Sequence, residues 1–211
     1  MSGALSGDLT SVPAACKTGT LVIACGALAR ELIAVRDLNG GDLFDVTALP
    51  AIWHNRPEKI APGVRAKIRA ARGRYQRILV LYGDCGTGGD LDRVLAEEGV
   101  ERIEGEHCYA FYAGLDTFAA EHEAEIGTFY LTDYLVRHFD RLIIKGLGLD
   151  RHPQLLPVYF GHYTRLLYLA QLPDEKLDLK ARMAAERLGL RYERRMTGLE
   201  GVSGFLAKAM R

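Results

Sequence analysis

The strongest constraint on this chain is a strand, helix, strand pattern that occurs three times. A run at Leu21–Ala24 leads through a helical stretch to a second strand at Phe44–Leu49. A run at Ile78–Tyr82 leads through Leu91–Glu98 to a short strand at Arg102–Glu104. A run at Leu166–Ala170 leads through Leu177–Leu188 to Arg191–Met196. Each first strand is a short apolar run, the composition of a parallel strand buried on both faces. Repeated units of this kind predict an α/β fold, a mainly parallel sheet built from βαβ units and covered by helices. The expected organisation is a small, polar tail at 1–18, holding Cys16, then one α/β domain at 19–211. Helical patterns also cover Glu58–Arg74, Ala110–Glu125, Phe129–Leu147 and Gly201–Met210, with a helix or irregular cover at Pro153–Tyr163. Leu142-Ile143-Ile144 also suits a strand.

Charge and hydropathy exclude whole classes of function. The 211 residues carry 27 Lys+Arg against 27 Asp+Glu, and 48% are hydrophobic. That content suffices for a sizeable core, and a net charge of zero argues against broad binding of nucleic acid or anionic membrane. No apolar run approaches the ~20 residues of a spanning helix. The first residues lack the basic and apolar regions of a secretory signal, so a cytoplasmic protein is expected. Four cysteines in such a chain suggest thiols or metal ligands rather than disulfides.

In open α/β sheets, ligands bind beyond the carboxyl ends of the strands. The residues expected there are Cys25, His54, Cys85, His107 with Cys108, Gln171 and Thr197. Thiolates and imidazoles are the usual ligands of zinc, and three thiolates can hold an iron–sulfur cluster. Cys25, Cys85, His107 and Cys108 are therefore the candidate metal ligands, with zinc favoured and an iron–sulfur cluster the alternative. None shows the compact CxxC pairing of a strong metal motif. The competing reading is that Cys25 and Cys85 are small core residues at tight strand ends. Cys108 could equally be a nucleophile with a nearby histidine as base.

The turn Gly83-Asp84-Cys85-Gly86-Thr87-Gly88-Gly89 joins the central strand to a helix. It lacks the lysine of a Walker loop and the spacing of a dinucleotide fingerprint. Gly86, Thr87, Gly88 and Gly89 are candidates for holding an anion or a closely approaching ligand, and at least one of these glycines should have positive φ. Asp84 is a candidate catalytic or orienting carboxylate, or a turn residue. His54-Asn55-Arg56-Pro57 adds a possible imidazole ligand and a cation suited to a carboxylate or phosphate. It also reads as the polar entry to a helix.

The segments LVIACGALARE, LPAIWHNRPEKI, VLYGDCGTGGDLD, EGEHCYAFYAG, FYLTDYLVRHFD and YLAQ, in that order, resemble the bacterial and archaeal family named domain of unknown function sixteen thirty-eight. The resemblance runs from about Thr20 to about Gly198. Genes of that family often neighbour corrinoid-dependent methyltransferases. The resemblance thus implies an association with one-carbon metabolism, without supplying a reaction or a catalytic residue. Two readings follow. One is a metal-binding enzyme of one-carbon or methyl-group metabolism acting on a small molecule. The other is a non-catalytic accessory protein that binds a corrinoid protein, a corrinoid or a folate.

Overall fold

A computed structural model describes residues 19–103, 105 and 107–210. Cys16 with the rest of the expected tail, Glu104, Glu106 and Arg211 lie outside the described residues. The expected α/β class holds, and every strand pairing is parallel. The strands fall into two sheets. The first contains β1 (Thr20–Cys25), β2 (Asp45–Leu49), β3 (Arg77–Leu81) and β4 (Glu101–Arg102), in the order β2-β1-β3-β4. The second contains β5 (Thr128–Thr132), β6 (Arg165–Ala170) and β7 (Arg191–Met196), in that order. Each expected unit pairs its own two strands side by side.

The centre of the first sheet is buried because β1 and the second half of β3 are apolar runs, while the outer strands β2 and β4 carry the polar side chains. Val22, Ile23, Ala24, Val80 and Leu81 are all fully buried. Helix α1 (Ala29–Leu38) packs on β2, and α2 (Ile60–Ala71) packs on β1 and on α3 (Asp90–Glu98). Glu98 of α3 accepts hydrogen bonds from Arg69 at 2.8 Å and Arg72 at 3.1 Å, tying the last turn of α3 to α2. Helices α4 (Cys108–Ala113) and α5 (Leu115–Ala124) follow β4 and lead to the second sheet.

Two expectations fail here. Phe129–Leu147 is not one helix. It is strand β5, then the short helix α6 (Asp133–Arg137), then a wide helical turn at Asp140–Ile144. Aromatic and apolar positions at Tyr130, Tyr134 and Leu135 imitate a helical stripe. Thr128-Phe129-Tyr130-Leu131-Thr132 is nonetheless rich in strand formers, and in-register pairing with β6 decides the outcome. Ala110–Glu125 is also not continuous, because Gly114 turns the chain between α4 and α5 with φ of 85°.

The remaining helices are α7 (Leu156–Phe160), α8 (Glu175–Leu188) and α9 (Glu200–Ala209). Helix α8 covers the second sheet, where Leu177, Ala181, Ala184 and Ala185 join Leu131 and Tyr168 in its core. Helix α4 bridges the sheets. Its Phe111 and Tyr112 join the core of the first sheet, while Tyr109 packs against Tyr130, Leu167 and Leu169 of the second. Among the described residues no helix is long and apolar enough to cross a membrane.

Helix α9 closes over α1 and α4. Its Gly201 sits so near α4 that an added Cβ would lie 1.6 Å from the Phe111 carbonyl oxygen. Gly201→Ala is therefore expected to destabilise the protein by about 1–3 kcal/mol through overpacking. Chemical denaturation of the two proteins checks this, and unchanged stability would refute the close approach.

Candidate functional site

The order β2-β1-β3-β4 places a topological switch between β1 and β3, where the chain leaves neighbouring strands in opposite directions. Such a switch opens a crevice beyond the strand ends. Cys25 is the last residue of β1, and Cys85 lies in the turn after β3. Both expected thiols thus flank the crevice. Cys25 is buried, while Cys85 and Cys108 are half-buried, and all three are free thiols. The Cys25 sulfur accepts a hydrogen bond from Ala27 N at 3.3 Å, which caps the turn into α1. Gly26 follows because a Cβ there would press on the Leu49 carbonyl oxygen at 2.9 Å.

The turn after β3 is held by its own carboxylate. Asp84 accepts from Gly89 N at 3.0 Å, Gly88 N at 3.2 Å and the Thr87 hydroxyl. Burial works against the charged form, but these bonds and the nearby Arg102 outweigh it and hold the carboxyl below its usual range. The Gly88 and Gly89 N–H groups that the sequence offers to a ligand are thus engaged by Asp84. Gly86, Gly88 and Gly89 all have positive φ, as expected, at 82°, 62° and 87°. Cys85 shares this conformation with φ of 50°, and it is the one non-glycine among the described residues to do so. A side chain in the left-handed region costs roughly 1–2 kcal/mol. Retaining a cysteine there, amid glycines that would bear the conformation freely, points to use of its thiol.

His54 comes from the turn after β2, which winds as a tight helix over Ala51–Asn55. Its Nδ1 lies 2.8 Å from the Ala51 carbonyl oxygen, so this nitrogen carries the proton. The Cys25 sulfur is 3.8 Å from the same nitrogen. The ring stacks on Tyr82, with centroids 6.0 Å apart. Burial alone would lower the His54 pKa, but hydrogen bonding to Cys25 and Cys85 raises it above the usual imidazole value. With Nδ1 fixed on a backbone carbonyl, Nε2 is the nitrogen free to ligate a metal, whereas the Cys25 sulfur lies against the proton-bearing Nδ1. Arg56 and Asn55 are exposed beside it.

Cys108 opens α4, and burial pushes its thiol pKa well up, with the charges of Cys85 and Cys25 adding to the effect. Tyr82, immediately after β3, is fully buried, and burial together with Cys25 beside it raises its pKa. His107, by contrast, is exposed at the N-terminal end of α4, with its ring against Tyr109. The imidazole that meets the thiols is that of His54.

The edge of the second sheet supplies residues that sequence reasoning did not single out. Asp133, fully buried at the end of β5, accepts from the Tyr168 hydroxyl at 2.7 Å, Gln171 N at 3.1 Å and Leu172 N at 3.3 Å. Arg137 Nη2 of α6 lies 3.6 Å from Asp133 Oδ2, the oxygen that also accepts from Leu172 N, as an ion pair. Glu31 of α1 is 1% exposed, and its Oε2 has no hydrogen-bond partner among the described residues. Its electrostatic neighbours are Asp133, Arg137 and Arg30. Gln171, expected at a strand end, joins this network through its Oε1, which accepts from Asp133 N at 2.8 Å. Thr197, also expected at a strand end, instead hydrogen-bonds back to the Ala170 carbonyl. A strand ending in Thr132-Asp133 was the available signal for the network, concealed by the helical pattern laid over it.

The family model described as Protein of unknown function (DUF1638) matches residues 48–206. The chain belongs to this family. No curated protein matches the chain in a sequence comparison. The DUF1638 match spans His54, Cys85, Cys108, Asp133 and Arg137, whereas Cys25 and Glu31 precede it.

Two outcomes test this geometry. Cys85→Gly should be more stable than Cys85→Ala by about 1–2 kcal/mol, because both lose the thiol and only glycine relieves the backbone. Equal stability in denaturant would remove the argument from strain. Glu31 gives a pH signature. Burial raises its pKa from 4.5, with Asp133 adding to the rise against Arg137 and Arg30. The neutral form is thus favoured in the fold, and its stabilisation is lost as pH rises from the ordinary value through the folded one. Glu31→Gln should melt about 2–4 °C above the parent at pH 8 and level with it near pH 4. A constant difference across that range would contradict the burial.

Proposed function

We propose that this chain is a metal-binding protein whose site is built from Cys25, Cys85, Cys108 and the His54 imidazole. The observation that carries the reading is that the Cys25 sulfur, at the end of β1, meets the carbonyl-anchored His54 imidazole at the β1/β3 crevice, with Cys85 in the turn after β3. Among the described residues, no three His, Cys, Asp or Glu side chains stand in a ready ligand geometry. The fit rests instead on donor chemistry. Three soft sulfur donors and one imidazole suit zinc, while three thiolates without the imidazole suit an iron–sulfur cluster. Mutual repulsion of thiolates sharing a buried site is relieved by a cation among them.

Bound zinc would supply Lewis acidity, or keep a thiol in its thiolate form. The chain's own groups would do the rest. Asp84 fixes the turn that aims Cys85, and the Ala51 carbonyl fixes the His54 tautomer. A one-carbon or methyl-group reaction is the activity we propose for such a site, on the strength of the family resemblance.

Metal analysis of anaerobically purified protein tests the reading. Cys25→Ser keeps an oxygen to cap the turn, so it removes a soft ligand with little change to the fold. Cys25→Ser, Cys85→Ser and Cys108→Ser should each lose most of the metal, and Cys16→Ser, which lies before β1, should keep it. His54→Gln should weaken binding more than His107→Gln. Equal metal in all four cysteine variants, or none in the parent, would overturn the shared site. A metal-free parent that co-purifies with a corrinoid would favour the accessory reading.

A further inference from the structure

Helix α8 has three of its four sides engaged by the fold. Leu177, Ala181, Ala184, Ala185 and Leu188 are buried in the core of the second sheet. On one flank, Asp178 accepts from the Tyr192 hydroxyl of β7 at 2.6 Å, and the Arg182 guanidinium lies 4.6 Å over the Tyr192 ring. On the other flank, Arg187 Nη1 donates to Asp140 at 2.7 Å. The fourth side carries Leu179 and Met183, one turn apart and each 59% exposed. Lys176 stands one turn before them and Glu186 one turn after. Both are exposed and make no ion pair among the described residues. Positions 176, 179, 183 and 186 are spaced by three, four and three residues, the spacing of a seam that meets another helix.

A single exposed apolar side chain needs no explanation, but this seam is its own complement. Counted outward from Ala181, Leu179 and Met183 stand two residues away on either side, Lys176 and Glu186 five, and Glu175 and Arg187 six. Two copies of α8 laid antiparallel about a twofold axis at Ala181 therefore bring the members of each pair together. Leu179 meets Met183 of the second copy, Lys176 meets its Glu186, and Glu175 meets its Arg187, each contact occurring twice. Parallel copies would instead set Lys176 against Lys176 and Glu186 against Glu186.

We propose that this side of α8 is a self-association surface, on which a second copy of the chain docks antiparallel across Ala181. The central Leu179 and Met183 supply the apolar burial, and the charges around them set orientation and register. Arg187 already holds Asp140, so the Lys176–Glu186 pairs are the new electrostatic contacts. The 14 residues of α8 make a rod about 21 Å long. One helix pair of that length stands at the small end of specific interfaces, so the association is weak and reversible. The inference goes beyond the proposed function and does not rest on it, because no residue of the seam belongs to the thiol site.

Sedimentation velocity of the full chain from ~10 µM to ~1 mM tests it. The parent should pass reversibly from monomer to dimer within that range. Leu179→Glu sets a charge against Met183 and should weaken association about tenfold or more. Lys176→Glu and Glu186→Lys each create two like-charge contacts in their own dimers, so each alone should associate less than the parent. An equimolar mixture of the two should dimerise again, because the mixed pair restores opposite charges at both contacts. The two reversals combined in one chain should likewise self-associate. All of these positions are exposed, and circular dichroism on the same samples checks the fold. If Leu179→Glu is unfolded, the charge-reversal mixture decides alone. A parent that stays monomeric, a dimer indifferent to Leu179→Glu, or a mixture no more associated than its separate components would overturn the proposal.

Discussion

The hold of the Asp84 carboxylate on its own turn is the interaction on which the candidate site depends. β3 ends beside β1, and the chain must reverse within a few residues to start α3. Asp84 makes that reversal by gathering the N–H groups of Gly88 and Gly89 and the Thr87 hydroxyl. The bonds fix a run of left-handed backbone in which Cys85 is the only side chain that must bear the conformation. The same carboxylate sits where an exogenous anion would sit at the start of α3. One residue thus both closes the phosphate-like seat and sets the direction of the central thiol.

Some polar groups depart from the usual rule that buried polar atoms are paired. Asp84 and Asp133 are heavily hydrogen-bonded. Glu31 Oε2 and Arg137 Nη1 have no hydrogen-bond partner among the described residues, and neither have Arg65 Nε, Glu121 Oε2 and the Tyr130 hydroxyl elsewhere in the fold. A hydrophobic core assembled for stability alone gains nothing from such groups, each of which lowers stability.

Much of this was legible in the sequence. The branched runs at β1, β3 and β6 announce buried parallel strands, and the glycines after β3 announce a left-handed turn. The strand-end rule places Cys25 at the end of β1 and Cys85 in the turn after β3, while Cys108 stands at the start of α4. What was not legible depends on contacts far apart in the chain. Strand β5 is decided by pairing with β6, and the helical spacing of Tyr130, Tyr134 and Leu135 outvoted it locally. Asp133, Arg137 and Glu31 look like ordinary charges on amphipathic helices until the two sheets bring them together. His107 gained weight from its adjacency to Cys108, but neighbours in sequence diverge at a helix start. His54 reaches the thiols because a tight turn after β2 folds it back over β1.

The central claim is that Cys25, Cys85 and Cys108 bind one ion. X-ray absorption spectroscopy at the zinc edge, on anaerobically reconstituted protein, measures this directly. The account predicts a first shell dominated by sulfur at ~2.3 Å with one lighter scatterer near 2.0–2.1 Å, and a loss of sulfur amplitude in Cys85→Ser. A first shell of nitrogen and oxygen alone, unchanged in that variant, would contradict it.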